Sequence, residues 1–167
     1  VPLLPPQLTA SVVAAAPPPY DELGLTRRGS LRGCPPLKPT ESGCISSLPT
    51  SSPNRYSSPL RYDTTREQAF RRVRSYLAER SGDGTVESDS PDYLHAWVAV
   101  PEPADIELHF VEDEPVVTYR VLATKPTLTR PFCATRGCIN GNQELRQQVE
   151  RLRDENGWRF EDARFEN

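Results

Sequence analysis

Proline is spread unevenly along this chain, and that spread limits what it can fold into more than any other feature. Twelve of the eighteen prolines lie in residues 1–60 of the 167. Each removes a backbone donor and fixes φ, which works against long helices and central strands. The stretch GCPPLKPTESGCISSLPTSSPNRYSSPLRY, Gly33 to Tyr62, holds six prolines, seven serines and two cysteines, and no convincing helix or strand. LTASVVAAAPPPYDELG (Leu8–Gly24) is the one apolar cluster, and it lacks periodicity. Residues 1–60 are therefore expected as a Pro/Ser-rich extended arm without a core of its own, and residues 61–167 as the folded domain. The arm is expected to lie on a partner or across the aromatic face of Tyr93 and Trp97, anchored by Tyr20, Leu23 and Leu25.

From Thr64 the pattern changes. Thr64-x-x-Glu67 has the form of a capping box, and Ala69, Phe70, Val73, Tyr76 and Leu77 recur at helical spacing until Ser81–Gly84 ends the run. Alternation over Asp92–Val100, Asp105–Glu112 and Pro115–Thr124 predicts strands, and a short extra strand fits near Thr85–Asp89. The connections PEPAD and DE are short, so neighbouring strands pair antiparallel. A second helix follows Asn142, with Leu145, Val149 and Leu152 as its apolar stripe and Gly157 just past its end. Trp158, Phe160 and Phe165 are expected to dock back on the domain. The fold class is α+β: a small antiparallel β-sheet packed on one face by two helices, preceded by the arm.

With Val100 opposite Ile106 and a turn at Asp113–Glu114, Leu94, Ala96, Val98, Val100, Ile106, Leu108, Phe110, Val117, Tyr119 and Val121 share the core face. The other face carries Tyr93, His95, Trp97, Glu107, His109, Val111, Thr118 and Arg120, with Glu107 facing Arg120 as an ion pair and Trp97 facing His109. A solvent-facing sheet is polar here. This one is more aromatic than water requires, so Tyr93, His95, Trp97 and His109 are candidate partner-binding residues. His95 and His109, diagonal neighbours beside Glu107, have the donors for a metal. A packed pair of surface imidazoles accounts for them more simply, and no metal is assigned. Histidine titrates near pH ~6.5, so the pair is also a candidate pH sensor.

Composition excludes several functions. The net charge is −3; residues 1–60 carry five basic and three acidic side chains, and the remainder fifteen and twenty, too little positive charge for nucleic acid. There is no run of eighteen apolar residues for a transmembrane helix. TRRGSLR (Thr26–Arg32) is followed by GCPPLKP rather than an apolar region, so it is neither a twin-arginine export signal nor, with Cys34, a lipoprotein box. Methionine is absent, position 1 included, and a processed chain is the expectation. Gly-x-Ser-x-Gly, a phosphate loop and His-Glu-x-x-His are all missing, so no enzyme, catalytic residue or cofactor is assigned. Cys34 and Cys44 have nine residues between them, and Cys133 and Cys138 four, spacings that suit neither a zinc ribbon nor a redox Cys-x-x-Cys. Structural disulfides and buried free thiols stay open.

CISSLPTSSPNRYSSPLRYDTT, then DYLHAWV, ELHFVEDEPVVTYRVLA and RGCINGNQELRQQVERLR, resembles the domain-of-unknown-function 1499 family over roughly Cys44 to Asn156. The corresponding motifs are Cys44–Ser47, Tyr93–Ala96, Phe110–Asp113 and Arg136–Asn142. CATRGC replaces the family's aromatic and aspartate before the last motif, and VED its double aspartate, so roles tied to those acids are not carried over. The family has bacterial envelope and plastid members, and plastid members are associated with thylakoid membranes and photosystems. The resemblance thus implies a thylakoid-lumen protein, peripheral to the membrane. In such an oxidising lumen, Cys34–Cys44 and Cys133–Cys138 are expected as two local disulfides. The function expected is a non-enzymatic accessory or structural subunit on the lumenal side of a photosynthetic complex, contacting photosystem core or antenna subunits, with no nucleic acid. The alternatives are a small-molecule binder using the aromatic face or a gap between sheet and helices, and a thiol-dependent enzyme using Cys133 or Cys138.

Overall fold

A computed structural model describes residues 23–35, 42–49, 55–88, 90–99, 103–126 and 143–162. Its elements, in chain order, are β1 (Ser42–Ser46), β2 (Leu60–Arg61), α1 (Arg66–Arg80), β3 (Tyr93–Val98), β4 (Ala104–Phe110), β5 (Val116–Pro126), α2 (Gln143–Asn156) and β6 (Arg159–Phe160). The strands form one sheet in the order β3-β4-β5-β2-β6, and β1 pairs with β5 further along the same strand. Every strand pair is antiparallel. This is the α+β layer expected, with both helices on one face.

The helix limits follow from local chemistry. Thr65, not Thr64, is the N-cap of α1, and its hydroxyl accepts the Gln68 N–H at 3.3 Å. The operative N-cap is thus one residue later than the sequence pattern suggested. Arg66 then turns inward, pairing with Asp92 and donating to the Val111 carbonyl at 3.1 Å. Past α2, Gly157 adopts φ +69°. The Gly157 N–H reaches the Asp154 carbonyl and the Trp158 N–H the Arg153 carbonyl, at 3.1 and 2.8 Å, which is a Schellman stop. Asn142, the expected cap of α2, lies outside the described residues, as do Val100 and Phe165.

The core forms where both periodicities meet. Ala69, Val73 and Leu77 of α1 and Leu145, Val149 and Leu152 of α2 are buried against Leu94, Ala96, Val98, Ile106, Leu108, Phe110, Val117, Tyr119 and Val121. Phe110 is its aromatic centre, with Phe70, Tyr62 and Trp158 ring centroids at 5.3, 5.8 and 6.2 Å. Burying each such side chain stabilises by roughly 1.5–3 kcal/mol. Trp158 and β6 show the C-terminal segment docked back as expected. The gap between the sheet and α2, lined by Leu60, Leu108, Tyr119 and Leu152, measures about 10 Å³, room for about one water molecule.

The structure corrects two expectations, the first in the chain before Tyr62. Gly33–Tyr62 does contain strands: β1 and β2 both hydrogen-bond to β5, and Ile45 and Leu60 have no exposed surface. Sheet and core thus extend across the boundary expected at residue 60. The prolines flank these short strands rather than interrupt them, so a β5 edge can pair with them. The second correction is the register of β3 on β4. Val98 pairs with Ala104 and Ala96 with Ile106, a shift of four residues from Val100 opposite Ile106. A four-residue shift preserves parity, so the face assignments stand while the cross-strand partners change. β4 begins at Ala104 because β5 runs far enough to offer Ala123 and Leu122 as partners there. Among the described residues of Thr85–Asp89, Glu87 pairs in an isolated bridge to His95.

Candidate functional site

The outer face of the sheet, opposite the helices, collects the candidate residues. Alternation puts Tyr93, His95 and Trp97 of β3, Asp105, Glu107 and His109 of β4, and Thr118, Arg120 and Leu122 of β5 on this face, beside Cys44 and Ser46 of β1. This face, more aromatic than a solvent-facing sheet requires, is largely shielded from water. Glu107 is 0% exposed, and Tyr93, Arg120, Leu122 and Cys44 are also buried.

Residues 23–35 cover it. Leu25 and Leu31 pair in an antiparallel bridge, closed by the Thr26 N–H on the Ser30 carbonyl at 2.8 Å and the Gly29 N–H on the Thr26 carbonyl at 2.9 Å. Gly29, at φ +77°, makes the tight turn that a side chain would strain. TRRGSLR (Thr26–Arg32) is thus the tip and return of a small hairpin. Leu31 is the buried side chain of this lid.

Three charged side chains hold the lid by its main chain. Arg120 donates through Nε to Glu107 Oε2 at 2.6 Å, the cross-strand pair expected. Glu107 Oε1 accepts the Tyr93 hydroxyl at 2.8 Å and the Gly24 N–H at 2.7 Å. Arg120 Nη1 donates to the Gly33 carbonyl at 3.0 Å, and Arg55 donates to the Pro35 carbonyl. One residue on, Cys34 is bonded to Cys44 with Cα atoms 5.8 Å apart. This is the first disulfide expected, and it ties the lid to β1 at the edge of the covered face. Cys133 and Cys138 lie outside the described residues.

His95 occupies the edge of the site. It pairs with Glu107 across the strands, while its ring lies between two other carboxylates: Nε2 is 2.8 Å from Asp105 and Nδ1 3.3 Å from Glu87. Burial pushes its pKa down, but the hydrogen bond and charge of Asp105, then Glu87 and Glu107, outweigh it and leave it above the ordinary value. His109 faces Tyr93, not Trp97, and burial there depresses its pKa. The histidines are diagonal neighbours, as expected, but Glu107 is engaged with Tyr93, Gly24 and Arg120 rather than shared between them. Among the described residues, no group of His, Cys, Asp and Glu side chains is placed to hold a metal ion.

Trp97 faces Asp105 and lies over Gly82, where a Cβ would overlap the indole ring; the Gly82 N–H reaches the Trp97 carbonyl at 3.0 Å. Trp97 and Leu23 are the exposed large hydrophobics among the described residues, each at 37%. Leu25 is half-buried, and Tyr20 lies outside the described residues. Asp105 and Glu87 were missed as partners of His95. Stepping the period of two back from Glu107 would have found Asp105; no local pattern marks Glu87.

A family model with the description protein of unknown function (DUF1499) matches residues 36–124. Thylakoid lumenal 17.9 kDa protein, chloroplastic, of Arabidopsis thaliana is 30% identical over 135 residues, which are 78% of this chain and 56% of that protein. The chain thus spans little more than half the length of that curated relative. No solved structure matches it.

Proposed function

We propose that this chain, which belongs to the family described as protein of unknown function (DUF1499), is a non-enzymatic protein of the thylakoid lumen. It acts by surface contact, as an accessory or structural subunit peripheral to the lumenal side of a photosystem. The observation that carries the reading is the use made of the outer face. Its buried ionisable pair holds main-chain groups of the chain's own lid, so the polar cluster acts as internal structure. The relative's lumenal name supports the compartment. So does the Cys34–Cys44 bond, since disulfides persist in oxidising spaces. The small-molecule alternative finds no support in the gap under the sheet, which is far below the several hundred Å³ of ordinary ligand sites.

Contact is assigned to the side carrying Leu23 and Trp97, exposed apolar groups beside a charged surface, with core or antenna subunits as partners. Trp97→Ala tests it in intact thylakoids. The variant is expected to leave the complex at lower salt than the unaltered chain during washing, with at least about a tenfold loss of affinity if Trp97 is a contact centre. Unchanged retention on chlorophyll–protein complexes would remove Trp97 from the interface, and recovery of the unaltered chain entirely free of them would end the docking reading.

A further inference from the structure

We propose that the Cys34–Cys44 bond is a reaction site for a dithiol reductant, and that its reduction releases residues 23–35 from the outer face of the sheet. This goes beyond docking and does not depend on it. The geometry separates a strongly built sheet from a weakly built cover. Leu31 is the one residue of the described 23–35 that is buried. The contacts that hold the lid include main chain on side chain: Gly24 on Glu107, Gly33 on Arg120 and Pro35 on Arg55. The covalent tie at Cys34 closes a loop with a sequence separation of 10 and keeps those contacts at high local concentration.

The exchange has a direction. Cys44 is 3% exposed, whereas Cys34 is only partly buried, so the incoming sulfur meets Cys34 first. The thiolate of the reductant attacks Cys34 Sγ, forming a mixed disulfide, and the Cys34–Cys44 bond breaks with its electron pair on Cys44 Sγ, which takes a proton. The second thiol of the reductant loses a proton and attacks its own partner sulfur. That closes the reductant's disulfide and frees Cys34 as a thiol. Two electrons and two protons pass from the dithiol to the protein. The released lid uncovers Tyr93, Glu107, Arg120 and Leu122, a charge pair between apolar groups that already binds one main-chain N–H and one main-chain carbonyl. Such a surface suits an extended polypeptide.

Hydrogen exchange on the full chain, oxidised and after dithiothreitol, tests this. Reduction is expected to speed exchange of the Gly24 amide on the order of a hundredfold, while amides of β4 and β5 lose less and stay the better protected. A Cys34→Ser, Cys44→Ser double variant gives the same change without involving Cys133 or Cys138. A dithiol protein lacking its resolving cysteine traps the mixed disulfide, which peptide mapping should place on Cys34. The proposal is overturned by an unchanged Gly24 amide, by equal loss of protection in β4 and β5, which would make the bond a prop of the whole fold, or by an adduct on Cys44.

Discussion

Glu107 shows what one residue decides here. A carboxylate with no exposed surface is unfavourable unless its acceptor sites are filled, and here Tyr93, Gly24 and Arg120 fill them. His95, in the same cross-strand row as Arg120 with Glu107 between them, supplies the pH dependence. Its folded pKa is raised, so protonation favours the folded state: the stabilisation is complete below about 6.5 and is lost as pH rises through the folded value. His109 is shifted the other way: burial lowers its pKa most, Asp92 opposes this, and Arg66 adds a smaller lowering. Its contribution is present above about 6.5 and is lost as pH falls through its folded value. The two partly cancel in a simple pH profile. The stability difference between the unaltered chain and His95→Gln isolates one of them, and from urea unfolding it should shrink as pH rises from about 6.5 through the raised folded value. A difference that stays flat or grows over that range would remove His95 as the titrating group.

Among elements, α1 is where sequence pattern and structure part by one residue. Thr64 and Thr65 are both followed three residues later by a capping partner, Glu67 or Gln68. Only Thr65 has its hydroxyl on the N3 amide, because Arg66 must turn toward Asp92 and Val111 to seat the helix on the sheet. Thr65→Ala is therefore expected to cost about 1 kcal/mol, and Thr64→Ala less than about 0.5. Equal losses by thermal unfolding would return the cap to Thr64. At the other end of the bundle, Arg80 lies 3.8 Å over the Tyr76 ring and 2.6 Å from Glu155. That joins the C-terminal turns of α1 and α2 at the surface, where such pairs add little each.

For the whole molecule, the sheet is covered on both faces by different means. Helices cover one face with a packed apolar core. The lid covers the other with a disulfide, a buried ion pair and Leu31. Truncations separate the parts. Removing residues 1–22 spares every lid contact named above, and the urea midpoint is expected to hold. Removing residues 1–35 takes away Leu31 and Cys34 and strips Glu107 and Arg120 of their main-chain partners, with an expected loss of about 2–5 kcal/mol. Equal midpoints for the two truncations would show that the lid adds nothing to stability.

Much of this was legible in the chain. Period-2 alternation placed the core face of β3, β4 and β5, and helical spacing placed Ala69, Val73, Leu77, Leu145, Val149 and Leu152 inward, because side-chain direction follows from backbone geometry alone. Glu107 opposite Arg120 followed from a two-residue turn, which fixes register at short range; Asp113 there takes φ 62°. The register of β3 on β4 did not follow, since a five-residue connection accommodates either pairing and parity cannot separate them. Nor did the fate of residues before Tyr62. Whether a proline-rich segment dangles, pairs as β1 or lies over Glu107 depends on an open β5 edge and on buried charges needing main-chain partners. Both are supplied by residues some 60 to 90 positions away in sequence.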